Sequence, residues 1–282
     1  MRVFAWSDLH ADYPRNRELI AAAAVDGHRD DALLVAGDVS DNLDRIAGTL
    51  ELLRARFAEV FFVPGNHEAW LRGGGFTDSQ QKLDRIQALC GELGVRTRPA
   101  RLGNGNGNGN GRAVWIVPLA SWYQRPEHGP DSLFVPKAAE DTTQSLWADD
   151  LFVRWPEGDA GAAARRLLLG NEALLERKYD APVVSFSHFL PRREVMFRAP
   201  EEQAAAPPQP DRHPAFNFSR VAGSLGIERQ LRALGSRVHV YGHQHRNRDR
   251  VIEGVRYVSH CLGYPGEGAS EDAARPRLVY EC

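Results

Sequence analysis

The sequence has little of several features that would tie it to a particular compartment or cofactor. It contains three cysteines, Cys90, Cys261 and Cys282, and no two of them are closely spaced. This spacing argues against a disulfide framework and a cysteine-based zinc site, and it suits a reducing compartment. No apolar run approaches the roughly 18 residues of a membrane-spanning helix. Because Met1 to Trp6 leads directly into a strand, we expect no signal peptide and a cytoplasmic location.

An excess of charge of either sign is also lacking. The chain has 35 basic and 37 acidic residues, a formal net charge of −2. There is therefore no global electrostatic case for binding nucleic acid or an anionic membrane, and no obligate protein partner is inferred. A length of 282 residues allows one large α/β domain or two small ones. Since no boundary is visible, we expect a single domain over residues 1–282.

Short apolar runs alternate with helical patterns in the first part of the chain. Strands are predicted at Val3–Trp6, Ala32–Ala36 and Val60–Val63, and each run is too short for a buried helix. Helices are predicted at about 15–24, 43–57 and 80–92 from the spacing of apolar residues. Regular alternation of this kind indicates βαβ units with largely parallel strands.

The second part has the same strand signals with longer connections. Strands are predicted at about 113–117, 182–186, 237–241, 255–259 and 277–280. Helices are predicted near 142–151, at 160–179 with an interruption at Gly170, and near 224–234. The Gly-Asn repeat at 103–111 cannot bury apolar surface, so we expect a flexible hairpin loop there. A phosphate-binding role for the repeat is disfavoured because no helix follows it. A second long loop is expected at 190–220.

Five predicted strands end in side chains that ligate divalent metal ions. The clearest case is Val60–Glu68, where Pro64-Gly65 turns the chain after a buried strand and Asn66, His67 and Glu68 follow. One such residue alone is usually a turn, a cap or a packed histidine. Several at one sheet edge have no packing explanation, because burying unpaired polar groups is costly. The groups at the strand ends are Asp8 and His10, Asp38, Asn66 and His67, His188, and His243 and His245.

In this order the motifs Asp-x-His, Gly-Asp, Gly-Asn-His-Glu, a strand-end His and Gly-His-x-His resemble the calcineurin-like metallophosphoesterase superfamily. Softer motifs, such as Ser121-Trp-Tyr123 and Gly263-Tyr-Pro265, resemble a less characterised plant and bacterial branch of it. The resemblance implies an α/β fold in which two mixed β-sheets pack as a sandwich flanked by helices. It also implies a dinuclear, metal-dependent phosphoesterase that hydrolyses phosphate mono- or diesters by attack of a metal-bridging hydroxide.

The resemblance further implies a role for each motif residue. Asp38 would bridge two metal ions, and His67 would be the non-ligand catalytic residue that protonates the leaving oxygen. Imidazoles with oxygen ligands and no thiolate suit Mn, Fe, Zn, Co or Ni. The first ion would be held by Asp8, His10, Asp38 and His245, and the second by Asp38, Asn66, His188 and His243.

Several roles stay open at this stage. Asp41 and Glu68 are expected either to orient imidazoles from outside the ligand set or to cap the helices after their turns. Contact with the phosphate ester is expected from Trp122, Tyr123, Arg192 and Arg193, although the two arginines fit a solvated loop equally well. The alternative functions are a non-catalytic metal-binding scaffold of the same fold and a nuclease. The complete ligand set and His67 disfavour the scaffold, and the balanced charge disfavours the nuclease. The physiological substrate has no readable signature.

Overall fold

Two β-sheets form the centre of the molecule. The computed structural model describes residues 1–23, 27–73, 75–103, 113–125, 129–143, 147–199, 204, 213–267 and 271–282. The first sheet has four strands in the order β10-β1-β2-β3, and the second has six in the order β4-β5-β6-β7-β9-β8. The strands are β1 (Arg2–Trp6), β2 (Ala32–Ala36), β3 (Glu59–Val63), β4 (Ala100–Leu102), β5 (Val114–Pro118), β6 (Val183–Phe186), β7 (Ser236–Tyr241), β8 (Arg248–Ile252), β9 (Val255–Ser259) and β10 (Arg277–Glu281).

Both sheets are parallel at their centres, and antiparallel strands lie at one edge of the first sheet and at both edges of the second. In the first sheet β1, β2 and β3 are parallel, and β10 joins β1 in the antiparallel direction. In the second sheet β5, β6, β7 and β9 are parallel, whereas β4 and β8 are antiparallel edge strands. This arrangement directs the carboxyl ends of the central strands of each sheet to one edge, where ligands bind in open α/β sheets.

Helices at Pro14–Ala23, Leu43–Arg54 and Ser79–Glu92 cover the outer face of the first sheet, and the other helices lie around the second sheet and the strand ends. The helices are α1 (Pro14–Ala23), α2 (Leu43–Arg54), α3 (Asn66–Ala69), α4 (Ser79–Glu92), α5 (Asp149–Phe152), α6 (Ala160–Gly170), α7 (Glu172–Leu175) and α8 (Leu225–Ala233). Three short 3₁₀ turns lie at Arg193–Val195, Phe218–Arg220 and Glu271–Ala274. Among the described residues no helix combines the length and apolar character needed to cross a membrane.

The apolar core has a layer between the sheets and layers beneath the helices. Ala5, Leu34 and Phe61 of the first sheet share one buried cluster with Val184 and Val240 of the second. The opposite faces of the strands pack against helices, because residues of parallel strands alternate between the two faces of the sheet. The α/β sandwich expected from the resemblance is therefore confirmed.

Two helix predictions need correction. Within the described part of residues 142–151 only Asp149 onward is helical, in the short α5. The helical stretch predicted at 160–179, with an interruption at Gly170, is two helices, α6 and α7, which are separated at Asn171 and end at Leu175. The Asn171 side chain accepts a hydrogen bond from the Ala120 N–H and donates to the Ala120 carbonyl and to the Gln230 side chain. These bonds fix the chain at the break between the two helices.

Three elements were not predicted, namely β4, β8 and the short helix α3. The long loop predicted at 190–220 is only partly described and includes the 3₁₀ turn at Arg193–Val195. The predicted Gly-Asn loop lies, after Gly103, outside the described residues. The strands on either side of it, β4 and β5, are antiparallel, with Leu102 opposite Val114. The single domain over residues 1–282 stays a prediction.

Candidate metal centre

Five strand ends from the two sheets meet at one place. The turns after β1 and β2 hydrogen bond to each other, with the Asp8 N–H donating to the Gly37 carbonyl at 2.9 Å and the His10 N–H to the Asp38 carbonyl at 3.0 Å. The turns after β6 and β7 are joined in the same way, since the Gly242 N–H donates to the His188 carbonyl at 2.9 Å. Backbone pairing of the turns thus sets the positions of the polar side chains that follow the strands.

Two groups of potential metal ligands lie there and share Asp38, and a third, His10, Asp12 and His67, shares His10 with the first. Within each group the donor atoms lie within 4.8 Å of one another. Asn66 adds an amide oxygen to the second group, with its Oδ1 atom 3.3 Å from Nε2 of His188. The first group is Asp8, His10, Asp38 and His245, and the second is Asp38, His188 and His243.

Three of the histidines have one ring nitrogen fixed by an outer acceptor. Nδ1 of His188 donates to the Ala36 carbonyl at 2.8 Å, and Nε2 of His243 donates to the Val221 carbonyl at 2.9 Å. Nδ1 of His245 contacts the Glu267 carboxylate at 2.7 Å. When the outer nitrogen carries the proton, the inner nitrogen presents a lone pair, which is the arrangement that metal-ligating histidines adopt.

The donor set fits divalent transition-metal ions. The inner nitrogens of His188 and His243 lie 3.2 Å apart, and those of His10 and His245 lie 2.9 Å apart. Nε2 of His245 also lies 3.3 Å from Asp8 Oδ1. Imidazole nitrogens and carboxylate oxygens aimed at shared points, without a thiolate, suit Mn, Fe, Co, Ni or Zn better than Mg or Ca.

Burial and the charges of neighbouring groups raise the pKa of some groups in the cluster and lower the pKa of others. Burial raises the pKa of Asp38 well above its usual value, and the Glu68 and Asp8 carboxylates raise it further. Burial opposes the shifts of Asp8 and His245, but their mutual contact lowers the pKa of Asp8 and raises that of His245 to about 10, with Glu267 contributing to the second shift. A cation between these groups would offset the repulsion among the buried carboxylates.

Glu68 holds the turns rather than the imidazoles. Its buried carboxylate accepts backbone N–H groups from Gly65 at 2.6 Å, Val39 at 2.7 Å, Asp38 at 3.0 Å and Ser40 at 3.3 Å. Glu68 therefore caps its helix, because it accepts the backbone N–H of Gly65, the N-cap residue of α3.

Asp41 has a different partner, because its side chain pairs with Arg72 at 3.3 Å. The start of α2 is capped by the neighbouring Asn42, whose side chain accepts the Arg45 N–H at 3.1 Å. The cap of this helix is therefore Asn42, and Asp41 does not cap it.

His67 lies at the mouth of the cluster and is held on three sides. Its backbone N–H donates to Asp38 Oδ1 at 3.0 Å. Its ring lies 3.7 Å from the Trp70 ring, between centroids, and Nε2 is 3.1 Å from the Tyr264 hydroxyl. Burial lowers the pKa of His67 well below its usual value, and the charges of His245 and His188 lower it further. His67 therefore presents one oriented nitrogen beside the ligand cluster.

The four residues expected to contact substrate lie in different surroundings. Trp122 and Tyr123 are 1% and 2% exposed, and they belong to an apolar cluster that also contains Phe189. Arg192 is buried in ion pairs with Glu194, Glu228 and Glu253. Arg193 donates to the Ser132 carbonyl at 2.7 Å. Contact of these four residues with substrate stays a prediction. Their neighbours in the structure give all four residues a role in packing the fold.

Four residues around the cluster were not predicted from the sequence. Tyr264 places its ring 4.3 Å from that of His10 and 4.7 Å from that of His245, between centroids. Glu267 contacts His245, and Trp70 stacks on His67. Asp149 accepts a hydrogen bond from Asn66 at 2.9 Å. Only Tyr264 had a sequence signal, the Gly263-Tyr-Pro265 motif, because the contacts of the others depend on distant parts of the chain.

Comparison with known proteins gives consistent similarities over nearly the whole chain. The family model described as calcineurin-like phosphoesterase matches residues 1–247. The acyl-carrier-protein phosphodiesterase PptH of Mycobacterium tuberculosis is 30% identical over 278 residues, covering 94% of this chain and 78% of that protein. The crystal structure of phosphopantetheinyl hydrolase PptH from the same organism aligns with a TM-score of 0.76 at 25% identity, covering 99% of this chain and 95% of the solved one.

Proposed function

The chain belongs to the calcineurin-like phosphoesterase family and is a metal-dependent phosphoric ester hydrolase, and from this premise we propose that its substrate is a phosphopantetheinylated acyl carrier protein. The bond cleaved would be the phosphodiester that attaches the phosphopantetheinyl group to the carrier. The observation that carries this proposal is the similarity to PptH, which extends over 94% of the chain in sequence and 99% in structure.

The proposal includes two adjacent metal ions. Asp8, His10, Asp38 and His245 would hold the first ion, and Asp38 would also ligate the second. Two groups of donor atoms that share Asp38 support this assignment. A shared carboxylate allows two cations to lie about 3.5–4 Å apart despite their repulsion. The other ligands of the second ion would be Asn66, His188 and His243.

The reaction is a hydrolysis in which water adds to phosphorus as the ester P–O bond breaks. Bound metal ions would supply Lewis-acid stabilisation of the phosphoryl charge and would lower the pKa of water. The protein's own contribution is orientation and proton transfer. His67, held by Trp70, by the Tyr264 hydroxyl at Nε2 and by the backbone contact to Asp38, would donate a hydrogen bond or a proton to the departing oxygen, and the attacking water would supply the proton that the released alcohol keeps.

Mass spectrometry of a carrier protein tests the proposed substrate. The purified enzyme with Mn²⁺ is incubated with a phosphopantetheinylated acyl carrier protein, and the intact mass of the carrier is followed. We expect the carrier to lose the mass of one phosphopantetheinyl group in the presence of the wild-type enzyme. The variant Asp38→Asn, which lacks the shared carboxylate, should leave the carrier unchanged.

A small substrate separates the two ways in which this proposal can fail. Hydrolysis of bis-aryl phosphate without any change in the carrier would refute the carrier substrate and leave a diesterase of another specificity. Full metal content and full turnover in Asp38→Asn would refute the shared carboxylate, whatever the substrate.

A further inference from the structure

A buried carboxylate from the loop region after β5 reaches the metal centre. Asp149, the first residue of α5, is 2% exposed. Its two oxygens accept three side-chain N–H groups, from Asn66 at 2.9 Å, Trp70 at 2.6 Å and Trp147 at 2.9 Å. We infer that Asp149 is a positioning residue that fixes both the amide of Asn66 and the aromatic ring beneath His67. This inference rests on the proposed function, in which Asn66 is a metal ligand.

The first consequence concerns the orientation of the Asn66 amide. A carboxylate at neutral pH only accepts hydrogen bonds, so the amide nitrogen of Asn66 has to face Asp149. The amide oxygen is thereby directed toward the inner nitrogen of His188, 3.3 Å away. If the amide turned over, it would present an NH₂ group to the centre, and an NH₂ group has no lone pair suited to a cation. Asp149 therefore selects the ligating orientation.

The second consequence concerns His67. The same oxygen of Asp149 that binds Asn66 also accepts the indole N–H of Trp70. The Trp70 ring lies against the His67 imidazole, with centroids 3.7 Å apart and planes at 31°. One oxygen of Asp149 thus accepts hydrogen bonds both from Asn66, the proposed ligand of the second ion, and from Trp70, against which His67 packs.

The third donor, Trp147, links the loop region after β5 to the proposed metal centre. Trp147 donates to the other oxygen of Asp149, stacks on Phe216 at 5.5 Å and meets the His243 ring edge-on at 5.7 Å, both between centroids. Three donors share two carboxylate oxygens. An amide at position 149 has one acceptor oxygen and an NH₂ group, so it could not accept all three. This chemistry explains why an aspartate, and not an asparagine, suits the position.

Metal titration of Asp149→Asn tests the inference, with Asp150→Asn as the matched control. Asp150 is the next residue, is 35% exposed at its side chain, and pairs with Arg125. Metal-free protein is titrated with Mn²⁺ by calorimetry after circular dichroism has shown that each variant is folded. We expect Asp149→Asn to bind one of two ions about 10–100-fold more weakly, the usual effect of removing an outer partner of a ligand. Asp150→Asn should bind both ions as the wild type does.

A double-mutant cycle separates positioning from general stabilisation. If Asp149 acts through Asn66, then adding Asp149→Asn to Asn66→Ala should cost little further Mn²⁺ affinity. In Asp149→Asn alone, excess Mn²⁺ should restore the metal content but only part of the lost kcat, because the support of Trp70 beneath His67 stays lost. Equal losses of affinity in both backgrounds, or unchanged affinity in Asp149→Asn, would overturn the inference.

Two further outcomes keep this test distinct from the proposed function. Wild-type metal affinity in Asn66→Ala would show that Asn66 is not a ligand, and the proposed ligand set would then fail independently of Asp149. If Asp149→Asn does not fold, a crystal structure of the metal-loaded wild type decides. We expect the amide oxygen of Asn66 on the ion and its nitrogen on Asp149, and a structure in which Asp149 has left Asn66 would overturn the inference.

Discussion

At the scale of single residues, backbone strain is concentrated at the proposed ligands. Six non-glycine residues of the described chain have positive φ, and five of them are Asp8, His10, Asp38, His243 and His245. The sixth, Glu253, lies in the turn between β8 and β9. Left-handed backbone costs on the order of 1–3 kcal/mol per residue and clusters at functional sites. These residues depart from ordinary strand geometry because the turns have to aim their side chains at one place.

His67 gives the first prediction at this scale. Since it is proposed as a proton donor and not as a ligand, His67→Gln should keep the metal content of the wild type. Loss of a general acid slows a reaction by roughly 10²–10⁴-fold. We expect a loss of that size for an alkyl ester, whose leaving oxygen needs a proton, and a much smaller one for a nitrophenyl ester. Steady-state rates on the two esters measure it, and equal rates of variant and wild type on the alkyl ester would contradict the role.

His239 gives a prediction about stability and pH. It lies within β7, is buried, and contacts the hydroxyls of Ser185 at 2.8 Å and Ser187 at 3.1 Å. Burial lowers its pKa from 6.5 to about 3. The unfolded chain therefore binds a proton that the folded chain excludes, so stability is lost as the pH falls from 6.5 toward 3.

Between pH 7 and pH 5 this single group accounts for about 2 kcal/mol of unfolding free energy. His239→Gln removes the titration, so its loss of stability over that interval should be smaller than the wild type's by about that amount. Urea unfolding at the two pH values measures the difference. An identical pH dependence in both proteins would show that His239 is not buried in its neutral form.

At the scale of elements, the strands that carry ligands could be predicted and the edge strands could not. The runs before Asp8, Asp38, Asn66, His188 and His243 are apolar because those strands are buried on both faces. Strand β8 reads Arg-Asp-Arg-Val-Ile and has only one neighbouring strand, so its composition gives no apolar signal. Strand β4 has three residues, which is too few for a pattern.

The same reasoning explains which site residues could be predicted. The proposed ligands directly follow buried strands, so their positions are a local property of the sequence. The partners of those ligands are not local. Asp149 is 83 residues from Asn66, and Tyr264 is 197 residues from His67. No motif near Asp149 indicates its contact, and the Gly263-Tyr-Pro265 motif marks Tyr264 without indicating which residue it contacts. The helix predicted at 142–151 is shorter than expected in its described part, where Asp149 and Asp150 make long-range hydrogen bonds to Asn66, Trp70 and Arg125.

The turn after β3 gives the element-scale prediction. A Cβ atom on Gly65 would overlap Asp38 Oδ1 and lie 2.7 Å from Nε2 of His188. Gly65→Ala should therefore displace two proposed ligands and lower both metal content and turnover, the latter by about 10²-fold, as misplacement by about 1 Å does. Metal analysis and kinetics measure the two effects.

Gly48 is the matched control for that substitution. It lies in α2, and a Cβ atom there would meet nothing within 4 Å. Gly48→Ala should keep full activity and raise the free energy of unfolding by about 0.5–1 kcal/mol, because alanine favours helix over glycine. Normal metal content and turnover in Gly65→Ala would show that the turn accommodates a Cβ atom, and that Asp38 and His188 do not lie as close to Gly65 as described.

At the scale of the whole molecule, the proposed centre joins the two sheets. The turns after β1, β2 and β3 supply Asp8, His10, Asp38 and Asn66, and the turns after β6 and β7 supply His188, His243 and His245. Metal ions bound to both sets would link the sheets at one edge of the sandwich. Binding that requires the folded state stabilises it by mass action, by about 2.7 kcal/mol at a free ligand concentration 100 times Kd.

Metal removal should accordingly lower the melting temperature. For a domain of this size each kcal/mol corresponds to about 2–4 °C, so a chelator should lower Tm by roughly 5–10 °C per ion held at that concentration. Asp38→Asn should show a smaller difference between its chelated and metal-loaded forms. Calorimetric scans of the four samples measure it, and a chelator that leaves the wild-type Tm unchanged would argue against ions bound between the sheets.

The central claim is that both sheets together hold two metal ions that share Asp38. Anomalous scattering from a crystal of the Mn²⁺-loaded protein tests it most directly. We expect two peaks about 3.5–4 Å apart on either side of the Asp38 carboxylate. The first peak should contact His10 and His245, and the second should contact His188 and His243. A single peak, or two peaks of which neither lies beside Asp38, would contradict the account.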